Sequence, residues 1–319
     1  MKVIFMGTPD FAVPVLDALV DMGCDVCLAV TQPDKPKGRH GALTASPVKE
    51  AALSHGIEVY QPSSLKNEEA VKKLEDLAPD FMVVAAFGQI LTKRVLDIPK
   101  YCCVNIHASI LPEYRGSSPI QRAIIDGKKI TGVSAMRMDE GIDTGDVIMV
   151  REVAIDDNDT AETLFDKLSY EGGRLIKEAL RAIEEGKATY TPQDESRASY
   201  TAMIKKSDGK MDFEKSAGEL SCFVRGMSPW PCAFTYLKGK TLKIWETSAV
   251  DIIPKKPEAK DENGIIPGTI IVREGSRMFV SCGEGELEIK SLQLEGKKRM
   301  DAAAFLRGVR LDDGTRLGE

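Results

Sequence analysis

The chain has 319 residues, 43% apolar and 29% charged, with a formal net charge of −6. That length supports two domains with a sizeable core, and the acidic balance argues against a general polyanion binder. The longest apolar run, Phe81 to Phe87, has the length of a strand and is too short to cross a bilayer.

Met1 leads straight into a strand, Lys2 to Met6, without signal or transit character, so a cytoplasmic protein is expected. Gly7-Thr8-Pro9-Asp10 turns into a helix, Phe11 to Met22. This resembles the opening of a nucleotide-binding unit, but one glycine stands where a dinucleotide fingerprint needs three, which disfavours a nicotinamide cofactor. Cys24 and Cys27 have redox spacing. They enter a strand, Asp25 to Thr31, instead of opening a helix, and read as small buried apolar residues. Gln32 to Pro47 reads as a long loop with Lys35, Lys37, Arg39 and His40 among prolines and glycines, either a functional or a plain surface loop.

Ser46-Pro47 opens a helix ending at His55-Gly56, and Ile57 to Tyr60 is a short strand. Asn67 to Leu77 is amphipathic and helical, and Asp80 to Phe87 is a central parallel strand. Phe87-Gly88-Gln89-Ile90 is expected to open the next helix. The run Cys102 to Ile106 is a buried strand interrupted by Asn105 and His107, which share one face because alternate strand residues do. An amide and an imidazole thus leave the carboxyl end of a strand together, where open parallel sheets bind ligands. The chain breaks at Pro112, loops through Arg115-Gly116 and enters a helix, Ser118 to Asp126.

Thr131 to Met138 and Val147 to Val153 read as strands added antiparallel to the sheet. They flank an acidic turn, Asp139-Glu140-Gly141-Ile142-Asp143-Thr144-Gly145-Asp146. Its spacing fails as a calcium loop, but a carboxylate from it can orient and charge His107. Thr160 to Glu185 is a long helix with a core-facing apolar stripe. From Gly186 to about Lys206 periodicity disappears. Short strands with glycine turns follow at Ala233–Leu237, Thr241–Trp245, Gly268–Arg273, Arg277–Cys282 and Glu286–Leu294, with a closing helix from Asp301 to Arg307; this pattern reads as a small β-barrel. The acidic excess lies in residues 1–204, while 205–319 are slightly basic, which is compatible with an RNA partner.

Asn105-Ile106-His107-Ala108-Ser109-Ile110-Leu111-Pro112, the Arg115-Gly116 loop and the Asp-bearing glycine turn resemble the folate-dependent formyltransferases. The resemblance maps that family's catalytic trio onto Asn105, His107 and Asp143. It assigns the folate loop to Ser109, Ile110, Leu111 and Pro112, with Ile110 where the family usually has Leu. It implies 10-formyltetrahydrofolate as co-substrate and, in the branch acting on tRNA, a basic loop against the acceptor end, here Lys35, Lys37 and Arg39. An oligonucleotide-binding-like barrel then follows, where Lys205 and Lys206, with Lys210, Arg225, Lys240 and Lys243, either face tRNA phosphates or are simply solvated.

The fold class expected is α/β: a Rossmann-like parallel-sheet domain over 1–189, a linker over 190–206 and an OB-like barrel over 207–319. Formyl transfer needs a donor to the tetrahedral oxyanion, which suits Asn105. It also needs an imidazole to move protons, His107, and a carboxylate to charge that imidazole and accept the amine proton, Asp143. No metal is required. The expected partners are initiator Met-tRNA and the folate, with no membrane, and a monomer is expected. A hydrolase or nucleotide-sugar formyltransferase would share the trio; a non-catalytic RNA- or nucleotide-binding protein would not need it.

Overall fold

The computed structural model describes residues 1–37, 42–250, 266–312 and 314–318. Two compact units emerge, and they interleave along the chain. The first holds Met1–Pro119, Ile130–Ala154 and Leu164–Ala202; the second holds Ile120–Lys129, Ile155–Thr163 and Met203–Glu319.

The elements of the first unit begin with β1 (Lys2–Gly7), α1 (Val13–Asp21), β2 (Asp25–Val30), β3 (Lys35–Lys37), β4 (Ala42–Thr44), α2 (Pro47–Ser54) and β5 (Val59–Tyr60). They continue with α3 (Glu68–Leu77), β6 (Phe81–Ala85), α4 (Lys93–Leu96), β7 (Cys102–His107) and β8 (Arg115–Gly116). α5 (Pro119–Ile125) belongs to the second unit from Ile120 on, and the first unit resumes with β9 (Ile130–Arg137), β10 (Val147–Ala154), α6 (Ala161–Glu184, from Leu164) and β11 (Tyr200–Thr201).

Seven strands form one sheet in the order β10-β9-β7-β6-β1-β2-β5. The five strands from β7 to β5 are parallel, which explains their continuous apolar character: both sheet faces are covered. On one face Ile4, Met6, Leu28, Val30, Met82 and Val84 pack with Ala70, Val71 and Leu74 of α3. β9 joins β7 antiparallel and β10 joins β9 antiparallel, as the sequence pattern led us to expect.

Three details differ from expectation. Within the basic loop, Lys35-Pro36-Lys37 pairs with Ala42-Leu43-Thr44 as a short hairpin, so part of the segment is held by ladder bonds. The helix expected at Phe87 starts later, at Lys93. Ala86 and Gly88 have φ of +44° and +84°, which keeps the chain extended and turning beyond β6. Cys24 and Cys27 are only half-buried, and desolvation raises both thiols above their ordinary range.

The expected linker is tied to the first unit as far as Ala202. Thr191 pairs with Val147, and β11 pairs parallel with β8 through Tyr200↔Arg115 and Thr201↔Gly116.

In the second unit, α7 (Ala217–Gly226) precedes β12 (Ala233–Leu237), β13 (Lys240–Val250), β14 (Ile270–Arg273), β15 (Arg277–Ser281), β16 (Glu286–Leu294) and β17 (Met300–Asp301), and α8 (Ala302–Gly308) follows. The strands form an antiparallel sheet, β12-β13-β16-β15-β14, with β17 on β16. Leu220, Val224, Leu242, Ile244, Val280, Leu287 and Phe305 fill its core. The sequence reading lacked α7, although Ser216 and Glu219 carry its signal. The Ser216 hydroxyl accepts from Glu219 N–H while the Glu219 carboxylate accepts from Ser216 N–H, a capping box.

Candidate active site

β7 runs through the middle of the sheet between β6 and β9, so its backbone is satisfied on both sides and its carboxyl end is rigid. Asn105 and His107 leave that end, 8% and 7% exposed. The Nε2 of His107 lies 2.9 Å from the Tyr114 carbonyl oxygen. A carbonyl can only accept, so Nε2 carries the hydrogen and Nδ1 holds the lone pair of the neutral ring. That Nδ1 faces Asp143 Oδ2 at 3.6 Å.

Asp143 comes from the acidic turn, 38 residues beyond Asn105, whose Nδ2 donates to Asp143 Oδ1 at 3.4 Å. The Gly116 N–H donates to Asp143 Oδ2 at 2.8 Å. Asp143 itself has φ of +55°, a left-handed backbone conformation that a non-glycine residue holds only when its surroundings fix it. Two of the other carboxylates of the turn are spent elsewhere. Asp139 accepts from Gly141 N–H and the Thr144 hydroxyl, and Asp146 pairs with Arg137. Of the carboxylates expected to serve His107, only Asp143 reaches it.

Ser109, Ile110, Leu111 and Pro112 form the loop directly after the two side chains, with a cis bond between Leu111 and Pro112. The Ser109 hydroxyl donates to the Glu113 carbonyl at 2.6 Å. Ser134 on β9, absent from the sequence reading, braces the loop from below. Its hydroxyl donates to the Ser109 carbonyl at 2.7 Å and accepts from Leu111 N–H at 3.1 Å.

Other residues that the sequence reading missed surround Arg115, which has no exposed surface. Its guanidinium grips Glu195 with two bonds of 2.7 and 2.9 Å, donates to the Tyr200 hydroxyl at 2.8 Å and to Gln193 Oε1 at 3.0 Å. Arg115 in turn holds the Glu195 carboxyl below the usual carboxylate range. Gly116, next to it, has φ of +102°, and a Cβ there would meet the Thr201 carbonyl oxygen at 2.4 Å, so this close strand pairing requires glycine.

The expected basic residues are scattered. Lys35 is exposed on the β3–β4 hairpin beside Lys37, while Arg39 lies outside the described residues. Lys205 and Lys206 are exposed at the start of the second unit's final segment. Lys210 stands over the Tyr236 ring at 5.9 Å, and Lys243 and Arg299 stand over Trp245 at 5.8 and 5.0 Å. Arg225 is otherwise occupied: it donates to the Asp159 carbonyl at 2.7 Å, a structural contact. Among the described residues no group of three or more His, Cys, Asp or Glu has metal-binding geometry, and no helix is long and apolar enough to cross a membrane.

A family model described as Formyl transferase matches residues 1–180, and one described as Formyl transferase, C-terminal domain matches 203–310. A methionyl-tRNA formyltransferase of Lachnospira eligens is 49% identical over 319 residues, the full length of both chains. One of Geobacter metallireducens is 44% identical over 318 residues, covering 100% of this chain and 99% of that protein. Among solved structures, the sugar 3N-formyl transferase WlaRD superposes with a TM-score of 0.66 at 21% identity, over 93% of this chain and 99% of its own. HypX of Aquifex aeolicus aligns with 98% of this chain and 49% of its own, with a TM-score of 0.61. With the N-terminal and C-terminal matches in order and relatives alike from end to end, the chain belongs to the formyltransferase family.

Proposed function

We propose that this protein transfers the formyl group of 10-formyltetrahydrofolate to the α-amino group of methionine on initiator Met-tRNA. The observation that carries the chemistry is the convergence of Asn105 and His107 on Asp143, at 3.4 and 3.6 Å, from segments far apart in sequence. Full-length relatives named methionyl-tRNA formyltransferase support the choice of acceptor.

The amine nitrogen attacks the formyl carbon, and the carbonyl becomes an oxyanion. Asn105 Nδ2 donates to that oxygen. His107, with Nε2–H fixed on the Tyr114 carbonyl, offers Nδ1 to take up the amine proton. Asp143 stabilises the imidazolium that forms. The bond between the formyl carbon and the folate nitrogen breaks as the imidazolium hands its proton to that nitrogen, giving formyl-methionyl-tRNA and tetrahydrofolate. The amine is its own nucleophile, so no acyl-enzyme is required.

Ser109, Ile110, Leu111 and Pro112 line the folate side of the reaction. Lys35, Lys37 and Arg39 meet the acceptor end of the tRNA, and Lys205 and Lys206 meet phosphates further along it. The cation-capped aromatics Tyr236 and Trp245 are suited to the same RNA partner. The protein works as a monomer in the cytoplasm, where its tRNA is charged.

The test compares formyl transfer to initiator Met-tRNA, free methionine and a nucleotide amino-sugar. Activity confined to the charged tRNA is expected. Transfer to the sugar, or folate hydrolysis alone, would keep the trio and overturn the acceptor.

A further inference from the structure

The segment Thr191–Thr201 reaches each anchor of the trio. On one side it holds the Arg115 region. Arg115 N–H donates to the Ser199 carbonyl at 2.8 Å, Tyr114 N–H donates to the Ser199 hydroxyl at 2.8 Å, and Ser117 N–H donates to the Thr201 carbonyl at 3.1 Å. These bonds fix the peptides whose Tyr114 carbonyl orients His107 and whose Gly116 N–H binds Asp143. On the other side stands Gln193. Its Nε2 donates to the carbonyls of Asp143 and Gly145 at 2.8 and 2.7 Å.

The orientation of that amide is not arbitrary. Arg115 Nε–H can only donate, so the atom facing it at 3.0 Å must be the Gln193 oxygen. Both amide hydrogens are then committed to the two turn carbonyls. The bonds span Asp143, whose φ of +55° needs external support, and they set where its carboxylate points.

From this geometry we infer that Gln193 is a positioning residue for the reaction, holding Asp143 against His107 by its two turn carbonyls, with its amide locked by buried Arg115. The inference rests on the catalytic reading of Asn105, His107 and Asp143. Neither substitution below can reproduce the amide: Gln193→Leu removes donor and acceptor, and Gln193→Glu keeps the acceptor for Arg115 but sets an oxygen against two carbonyls.

The experiment uses the full chain at a temperature where melting curves show each variant folded. Steady-state kinetics with Met-tRNA and 10-formyltetrahydrofolate accompany side-chain ¹⁵N spectra of histidine. The chain has 3 histidines, so the His107 signals are assigned by comparison with His107→Asn. Both Gln193 variants are expected to lose roughly tenfold to hundredfold in kcat, as small misplacements of a reacting group do. KM for both substrates should stay within about twofold, because binding contacts are untouched. The His107 Nδ1 signal should move in both variants, since Asp143 no longer faces it, and Gln193→Glu should not rescue. Unmoved His107 signals, or an unchanged kcat, would overturn the positioning role. Full turnover by His107→Asn would instead overturn the catalytic reading, and the spectra would still report whether Gln193 sets the Asp143–His107 geometry.

Discussion

Among the described residues Arg115 is the largest side chain with no solvent contact, and its partner Glu195 remains 69% exposed. A pair with one end in water gains little from Coulomb attraction alone. What holds the guanidinium is its full set of bonds to Glu195, Gln193 and Tyr200. Arg115→Met should therefore destabilise the protein by about 1–3 kcal/mol at neutral pH, because the bonds that tie Gln193, Glu195 and Tyr200 to one buried group are lost together. The pH dependence has a definite sign. Arg115 holds the Glu195 carboxyl below its ordinary value, so the pair stabilises the fold above the unfolded carboxyl's pKa. That stability is lost as pH falls through the depressed folded value. The gap between wild type and Arg115→Met should be full at pH 7 and narrow below about pH 4, as followed by urea unfolding. A gap independent of pH would remove Glu195 from the account. At this scale the sequence exposes only part of the site. The alternation of Asn105 and His107 along one apolar run places both on one face, and a glycine-rich turn offers Asp143. Gln193 and Glu195 sit 78 and 80 residues from Arg115, in a stretch without periodicity, so nothing local marks them.

The helix α6 shows how an element can be legible while its purpose is not. Its apolar stripe reads plainly as a core face, and Leu164, Leu168, Leu175, Ile176 and Leu180 are fully buried. Gly172 and Gly173 in its middle look like weak points, since glycine costs a helix about 1 kcal/mol relative to alanine. Their reason is close approach. A Cβ at Gly173 would meet the Pro14 carbonyl oxygen of α1 at 2.6 Å, and one at Gly172 would meet Ile106 Cγ2 of β7 at 3.0 Å. Two effects then compete in Gly173→Ala. Helix propensity favours alanine by about 1 kcal/mol, while forcing a methyl against a backbone carbonyl costs about 1–3 kcal/mol. The carbonyl belongs to the first turn of a packed helix and cannot swing aside, so overpacking wins. Gly173→Ala should lower the melting midpoint, and Gly172→Ala, pressing on the strand that carries Asn105 and His107, should also reduce kcat. A stabilised Gly173→Ala protein would show that α6 and α1 can separate without loss. The helix α7 is the opposite case. Its capping box is readable at Ser216 and Glu219, yet Gly218 and Cys222 interrupt its apolar pattern.

For the whole molecule, texture along the chain and compactness in space divide it differently. The change from helix-and-strand alternation to short antiparallel strands reads as one cut near residues 190–206. In the folded chain, Ile120–Lys129 and Ile155–Thr163 belong with the second unit, and the segment up to Ala202 belongs with the first. Insertions of this kind leave no compositional mark, because each inserted piece is an ordinary helix or loop whose partners lie far along the chain. The contacts are specific. Arg225 of α7 donates to the Asp159 carbonyl at 2.7 Å, and Ile155 N–H donates to the Lys129 carbonyl at 2.9 Å. Ile125 packs against the core that Leu220 and Val224 help to build. A fragment ending at Ala202 would keep the Thr191–Thr201 segment and every bond of the trio, but it would strip the second unit's core from Ile125. Burying an aliphatic side chain contributes about 1.5–3 kcal/mol, a sizeable share of a domain's net stability. The 1–202 fragment should melt well below the full chain and bind a hydrophobic dye such as ANS. Replacing Ile125 with Gln in that fragment should reduce dye binding, since that side chain loses its cover there. A fragment as stable as the whole chain, with no dye binding, would show that the inserted segments find other cover, and that the single cut read from the sequence describes the energetics after all.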